Sequence, residues 1–181
     1  MRLRRELQRL NFPKNHFELF GLSPAFALDR DRLEAAYRGI QARIHPDRFA
    51  QASDAERRAS MQWTAQVNEA YRILRTPVRR ARYLLELNGV DAGLETDTAM
   101  PQEFLVRQME LRERLEEAKD ASALDLLRER LSSERQSIER RIAQRIDLEK
   151  DYPAARPLVR ELMFFERLGD EVDAAYEAHE A

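Results

Sequence analysis

A histidine and an aspartate two residues apart, His45 and Asp47, flank a proline in the stretch Ile44-His45-Pro46-Asp47-Arg48-Phe49. An imidazole and a carboxylate at this spacing could hold a metal ion, exchange a proton as an acid–base pair, or stand in an exposed loop. A metal needs more ligands. The other histidines, His16 and His179, are far away in sequence, and the chain has no cysteine, which removes thiolate ligands and disulfides outright. Catalysis also needs more, because no nucleophile, glycine-rich phosphate loop or third orienting group lies nearby. No metal, no cofactor and no catalytic residue is therefore expected. Taken alone, the tripeptide reads as a loop in which Asp47 braces helix ends and His45 is exposed.

Two helices must position this loop. Leu33, Tyr37, Ile40 and Ile44 recur at the spacing of one α-helical face. That helix stops at His45, since Pro46 lacks an amide hydrogen and drives the preceding residue out of the α region. A second ladder runs through Trp63, Val67, Ala70, Tyr71 and Leu74 and predicts a helix over about 54–75. Helices of similar length joined by so long a loop pack antiparallel and hold His45 to Asp47 out at the tip.

Upstream, Phe17, Leu19 and Phe20 before Gly21 read as one or two helical turns. Asp29 is an N-cap for the helix that ends at Ile44, with Asp31 and Glu34 as a capping-box alternative. Gly39 inside that helix costs ~1 kcal/mol relative to Ala and permits a close approach or a local compromise. Downstream, Thr76-Pro77 ends one helix and opens another, in which Ala81, Leu84 and Leu85 face inward while Arg79, Arg80 and Arg82 do not. Asn88-Gly89 closes it.

Residues 90–101 carry Gly93, Pro101 and three acids without apolar periodicity, and form the expected domain boundary. Three helical stretches follow at about 102–120, 122–150 and 155–178, separated by Asp120 with Ser122 and by Asp151-Tyr152-Pro153. Their stripes are Phe104, Leu111, Leu115 and Ala118; then Leu124, Leu127, Leu131, Ile138, Ile142 and Ile146; then Leu158, Leu162, Phe165, Val172 and Tyr176. Short connections between long amphipathic helices predict an antiparallel three-helix bundle. On the first of them, Leu105, Val106 and Met109 point away from the stripe, with Arg112, Glu113 and Glu116 beside them. This second face is either an exposed patch bordered by charge or the edge of a wide buried stripe, and periodicity leaves both open. Phe164 lies off the line of Leu158, Leu162 and Phe165 and reads as edge-of-core packing.

Composition agrees with an all-α chain. Charged residues make up 35% of the 181, against only 5 Gly and 7 Pro. A net charge of -2, from 31 basic and 33 acidic residues, leaves no field to hold a polyanion, so nucleic acid is not an expected partner. No apolar run approaches a membrane span, and no membrane is expected. Residues 1–14, with Arg2, Arg4, Arg5 and Arg9 among leucines, read as a basic helical extension ending at Pro13. Glu6, the missing Ser and the shortness speak against a targeting presequence.

The tripeptide has company. Asn15-His16-Phe17-Glu18-Leu19-Phe20-Gly21-Leu22 precedes it, Ala36-Tyr37-Arg38 lies on the helix before, and Val67-Asn68-Glu69-Ala70-Tyr71-Arg72-Ile73-Leu74 follows with Pro77, Arg80 and Tyr83. This order over about residues 14–87 resembles the J-domain of the DnaJ family. The resemblance implies that His45, Pro46 and Asp47 signal to a heat-shock ATPase chaperone. It also implies that Arg38, Arg43 and Arg48 face an acidic surface of that partner, where clustered charge speeds encounter. Gly39 stands where a second basic residue often follows the Tyr-Arg pair, and Ile44 where an aromatic is frequent. Those departures fit a dedicated chaperone partner.

The second half resembles a narrower family. Phe104-Leu105 with Gln108-Met109-Glu110-Leu111-Arg112-Glu113 is similar to the second domain of HscB, the J-type co-chaperone of iron–sulfur cluster biogenesis. Ala81-Arg82-Tyr83-Leu84-Leu85 and Arg160-Glu161-Leu162 with Phe164 add to the likeness. The resemblance implies an extension at 1–14, a J-domain at 15–89, a linker at 90–101 and a bundle at 102–181. It implies an HscA-like ATPase chaperone and an IscU-like cluster scaffold as partners, with Leu105, Val106, Met109, Glu110, Arg112, Glu113, Glu117 and Phe164 in the scaffold-binding face. Without cysteine, the chain cannot ligate a cluster through thiolates. A bacterial cytoplasmic, non-enzymatic adaptor is the expectation, with the oligomeric state left open. Alternatives are a J-domain co-chaperone for another client, or a helical or nucleic-acid module in which the tripeptide is only a turn.

Overall fold

The computed structural model describes residues 14–91 and 101–180. The basic extension and most of the expected linker lie outside the described residues. Among the described residues every regular element is helical: α1 (His16–Leu19), α2 (Arg30–Ile44), a 3₁₀ turn (Pro46–Phe49), α3 (Asp54–Arg75), α4 (Pro77–Leu87), α5 (Gln102–Glu117), α6 (Ala121–Ala143), a π turn (Gln144–Leu148) and α7 (Tyr152–Glu180). The chain divides into two compact units, Met1–Arg80 and Ala81–Ala181, with the division inside α4.

In the first unit, side-chain caps set the helix starts. The Asn15 side chain accepts from Glu18 N at 2.9 Å, and Asp29 accepts from Arg32 N at 3.0 Å, so α2 opens on Asp29 rather than on an Asp31–Glu34 box. Glu34 is engaged elsewhere, with Arg38 and Tyr71. Ser53 and Glu56 form a reciprocal capping box that starts α3. The core collects Phe17, Phe20, Phe26, Leu33, Ile40, Ile44, Phe49, Val67, Ala70 and Leu74. Tyr37, Trp63 and Tyr71, expected inward, are half-buried instead. Tyr37 stacks on Tyr71 with ring centroids 4.0 Å apart, and its hydroxyl donates to Asn68 Oδ1 at 3.0 Å, so these aromatics join α2 to α3 at the surface. A Cβ at Gly39 would meet open space, so no close approach explains that glycine.

Arg80 corrects the expectation that it faces solvent. It is buried, with Nε donating to Phe26 O at 2.8 Å and Nη1 donating to Leu74 O, while the guanidinium lies over the Phe26 ring at 5.1 Å. A buried arginine is tolerated where its donors meet backbone carbonyls that accept from them. Hydropathy assigns arginine to the surface and has no term for this.

In the second unit, α6 and α7 pack along their lengths, and α5 touches each of them more sparingly. The stripes of α6 and α7 are buried as expected from Leu124 to Ile146 and from Leu158 to Val172. Tyr176 is half-buried, with the Arg128 guanidinium 4.6 Å over its ring. Three helix ends differ from the expectation. Helix α5 stops at Glu117 with Ala118 as its C-cap, and Leu115 and Ala118 are half-buried rather than in the core. Helix α6 ends in the π turn, and Lys150 follows with a φ of 56°. Helix α7 begins at Tyr152, because Asp151 caps it by accepting from Ala154 N at 3.1 Å and Pro153 needs no donor in a first turn.

Candidate functional site

Two places carry the sequence-derived candidates, one in each unit. The first is the corner after α2, and its geometry follows from counting backbone donors. His45 N still bonds to Gln41 O at 3.0 Å, completing the last regular turn. The next donor is missing, since Pro46 has no amide hydrogen to give Ala42 O. Arg48 supplies it from the far side of the corner, with Nη1 donating to Ala42 O at 2.5 Å. Ile44 O is taken by the hydroxyl of Ser60 on α3, at 2.6 Å, and Ser60 is fully buried.

Beyond this braced end, His45 leaves the helix with φ -53° and ψ 132°, and its Nδ1 accepts from Asp47 N at 3.3 Å. Phe49 tucks into the core and anchors the 3₁₀ turn. The side chains of His45 and Asp47 remain 53% and 90% exposed, 3.5 Å from each other. The hairpin therefore ends in an imidazole and a carboxylate held by backbone geometry and open to a partner. Among the described residues, no group of three metal-ligating side chains converges.

The arginines differ in their circumstances. Arg43 lies in the last turn of α2 with Nε donating to Gly39 O at 3.1 Å, where a cation complements the negative helix end. Arg48 combines its charge with the capping of Ala42. Arg38 is well exposed but paired with Glu34 at 2.9 Å. The Tyr71 hydroxyl, donating to Glu34, holds that carboxyl below the usual glutamate value, and Arg38 reinforces the effect. Arg43 and Arg48 thus sit beside the tip, and Arg38 stands further back along α2 as half of an ion pair.

The second place is the outer face of α5. Phe104 and Leu111 point into the bundle, while Leu105, Val106 and Met109 are 44%, 49% and 64% exposed. Glu110, Arg112, Glu113 and Glu117 are exposed along the same helix. Of the two readings periodicity left open, the exposed strip is the one observed. Phe164 from α7 is half-buried, edge-on to Phe104 at 5.7 Å and to Phe165 at 5.4 Å. It sits at the core's edge, next to the helix that bears the strip. The structure thus gathers the eight expected residues as one exposed helix face plus an aromatic behind it.

Sequence reasoning did not single out Ser60 or the exposed Leu126 on α6. Ser60 had a signal: it prolongs the ladder of Trp63, Val67, Ala70 and Leu74 by one turn, and a hydroxyl on an apolar stripe demands a partner.

Comparison with known proteins places both regions. Residues 15–83 match the model of the DnaJ domain, and residues 100–173 match that of the HSCB C-terminal oligomerisation domain. The co-chaperone protein HscB homolog of Azoarcus sp. strain BH72 is 48% identical over 174 residues, covering 94% of this chain and 98% of the relative. That of Bordetella pertussis is 51% identical over 162 residues, covering 89% and 95%. Among solved structures, the chaperone HscB from Vibrio cholerae superposes with a TM-score of 0.80 at 35% identity, over 91% of this chain and 98% of that one. Human co-chaperone protein HscB gives a TM-score of 0.86 at 25% identity, over 91% and 83%. With nearly full-length relatives at about half identity, and with a J-domain whose tripeptide is exposed at the end of its hairpin, this chain belongs to the HscB family of co-chaperones.

Proposed function

We propose that the chain is a non-enzymatic adaptor of iron–sulfur protein maturation that captures an IscU-like cluster scaffold on α5 and presents it to an HscA-like ATPase chaperone. The corner His45-Pro46-Asp47 would dock on the chaperone and stimulate its ATP hydrolysis, with Arg43, Arg48 and Arg38 steering the encounter toward an acidic surface. Leu105, Val106 and Met109 would meet an apolar surface of the scaffold. Glu110, Arg112, Glu113 and Glu117 would border that contact, and Phe164 would support it from behind. Carrying both sites on one chain makes the meeting of scaffold and chaperone effectively intramolecular, which raises its probability without any new contact.

The observation that carries this reading is the simultaneous exposure of the two sites: a braced polar tip in one unit and an apolar strip in the other. Three contiguous apolar side chains left open on a helix with charged flanks are a contact surface without its partner. A steady-state ATPase assay of the HscA-like chaperone tests the proposal. The rate should rise with the chain and rise further with chain and IscU-like scaffold together. No response to the chain overturns it.

A second reading of the strip has one observation in its favour, the description of the matching C-terminal family as an oligomerisation domain. Contact between two copies through α5 would bury the same leucine, valine and methionine. Light scattering across a dilution series, with and without scaffold, separates the two.

A further inference from the structure

The corner depends on a residue that the proposed docking does not touch. Where α2 ends, Pro46 withdraws one amide donor. Arg48 N and Asp47 N, which a continuing helix would return to earlier carbonyls, are committed to His45 O at 3.0 Å and His45 Nδ1 at 3.3 Å. Ile44 O, immediately before the tripeptide, is then left facing the protein interior with no amide to accept from. Ser60 Oγ fills that vacancy at 2.6 Å from a fully buried position on α3, sixteen residues away. A serine inside a helix ordinarily returns its hydroxyl to its own preceding turn or points it to water. Here it reaches across to the neighbouring helix.

Resting on the reading of the corner as the chaperone-signalling tip, we infer that Ser60 is a positioning residue for that tip. Its hydroxyl fixes the peptide that joins Ile44 to His45, and so the direction in which the imidazole and the Asp47 carboxylate leave the hairpin. Two features make this more than a packing contact. The bonded carbonyl belongs to the peptide unit whose other end, His45 N, bonds to Gln41 O at 3.0 Å, so α2 and Ser60 hold that plane from its two ends and any rotation of it turns the tripeptide. The other brace of the same helix end, Arg48 Nη1 on Ala42 O, is exposed to solvent and open to competition from water. Ser60 is the dry member of the pair, and a buried hydrogen bond is costlier to break because the carbonyl it leaves has no water to turn to.

Ser60→Ala is the test, since alanine fits the space and favours the helix. Two readouts are taken well below the melting temperature of the variant. Amide hydrogen exchange at Asp47 and Arg48 should quicken by about tenfold, the scale set by leaving one buried acceptor unpaired. Maximal stimulation of the HscA-like ATPase should fall severalfold, while the concentration of chain giving half-maximal stimulation changes little, because the steering arginines remain. A role confined to stability would lower the melting temperature and leave both readouts unmoved, and that result overturns the inference. Failure of the underlying reading looks different: Asp47→Asn would then stimulate normally. In that case the exchange measurement still decides whether Ser60 holds the corner, and unchanged exchange refutes it.

Discussion

The corner after α2 and the outer face of α5 are both exposed, and they are exposed for opposite reasons. At the corner, every exposed side chain stands on a braced backbone: Pro46 stops the helix, Arg48 and Ser60 take over two of its carbonyls, His45 Nδ1 accepts from Asp47 N, and Phe49 pins the exit. Its geometry is determined before a partner arrives, and preorganisation of this kind reduces what binding must spend on ordering. The strip on α5 rests on nothing so specific. Leu105, Val106 and Met109 are exposed side chains of a single helix, the one that touches its bundle most sparingly. A rigid polar signal suits a switch that must engage one partner in one geometry. An adaptable apolar face suits the holding of a client.

That contrast can be broken or sharpened by substitution. The largest effect belongs to the corner. Asp47→Asn keeps the size of the side chain and removes its charge, and should abolish stimulation of the chaperone's ATPase in a steady-state assay. The strip should respond in smaller steps, because apolar contacts contribute in proportion to the area they bury. Leu105→Ala with Met109→Ala should weaken scaffold binding by about 2 kcal/mol in calorimetry, with helicity unchanged. Stimulation measured without scaffold should be untouched by that pair.

The smallest effect is in the response to acid, where the two units again differ in sign. In the first, Tyr71 and Arg38 hold Glu34 below the usual glutamate value, and Arg72 does the same for Glu69. Carboxyls lowered in this way add stability that is present above their unfolded value and is lost as pH falls through the lowered one. In the second unit, burial pushes Glu161 up despite Arg141 at 3.3 Å. Its contribution has the opposite sense: it is present below the unfolded glutamate value and lost as pH rises through the raised one. Carboxyl chemical shifts followed by pH titration should show Glu34 and Glu69 titrating below the ordinary glutamate range and Glu161 above it. Glu161→Gln should remove the second unit's share of this dependence.

The corner was legible in the sequence because its cause is local. A proline after an apolar ladder ends a helix wherever it occurs, and the second ladder, from Trp63, supplies the returning helix. Asp29 as a cap, Gly89 as a left-handed terminator with a φ of 71°, and the stripes of α6 and α7 were legible for the same reason. Interactions between distant residues were not. The burial of Arg80 depends on carbonyls contributed by Phe26 and Leu74, which leave no signature within its own turn, and the place of Ser60 on the apolar ladder shows that its hydroxyl needs a partner but not that the partner is a peptide of the neighbouring helix. The π turn at Gln144–Leu148 has no pattern in the ladder that runs through it.

The α5 strip lies between these cases. Helical spacing showed a second apolar face, but whether α6 and α7 would cover it is a question of how widely α5 packs, which spacing does not contain. Resemblance to HscB pointed to the exposed reading, and in the structure the three side chains are open. The half-burial of Phe164 follows the expectation of edge-of-core packing more closely than that of an open contact residue, since two phenylalanine rings already flank it.

Separability of the two regions is the central claim, and calorimetric titration of the IscU-like scaffold into the Asp47→Asn variant tests it most directly. The dissociation constant should match that of the unsubstituted chain, because the lost charge is in the hairpin and the scaffold's contacts are on α5. A scaffold affinity reduced by about tenfold, equivalent to about 1.4 kcal/mol, would contradict it and make the corner part of the cargo site.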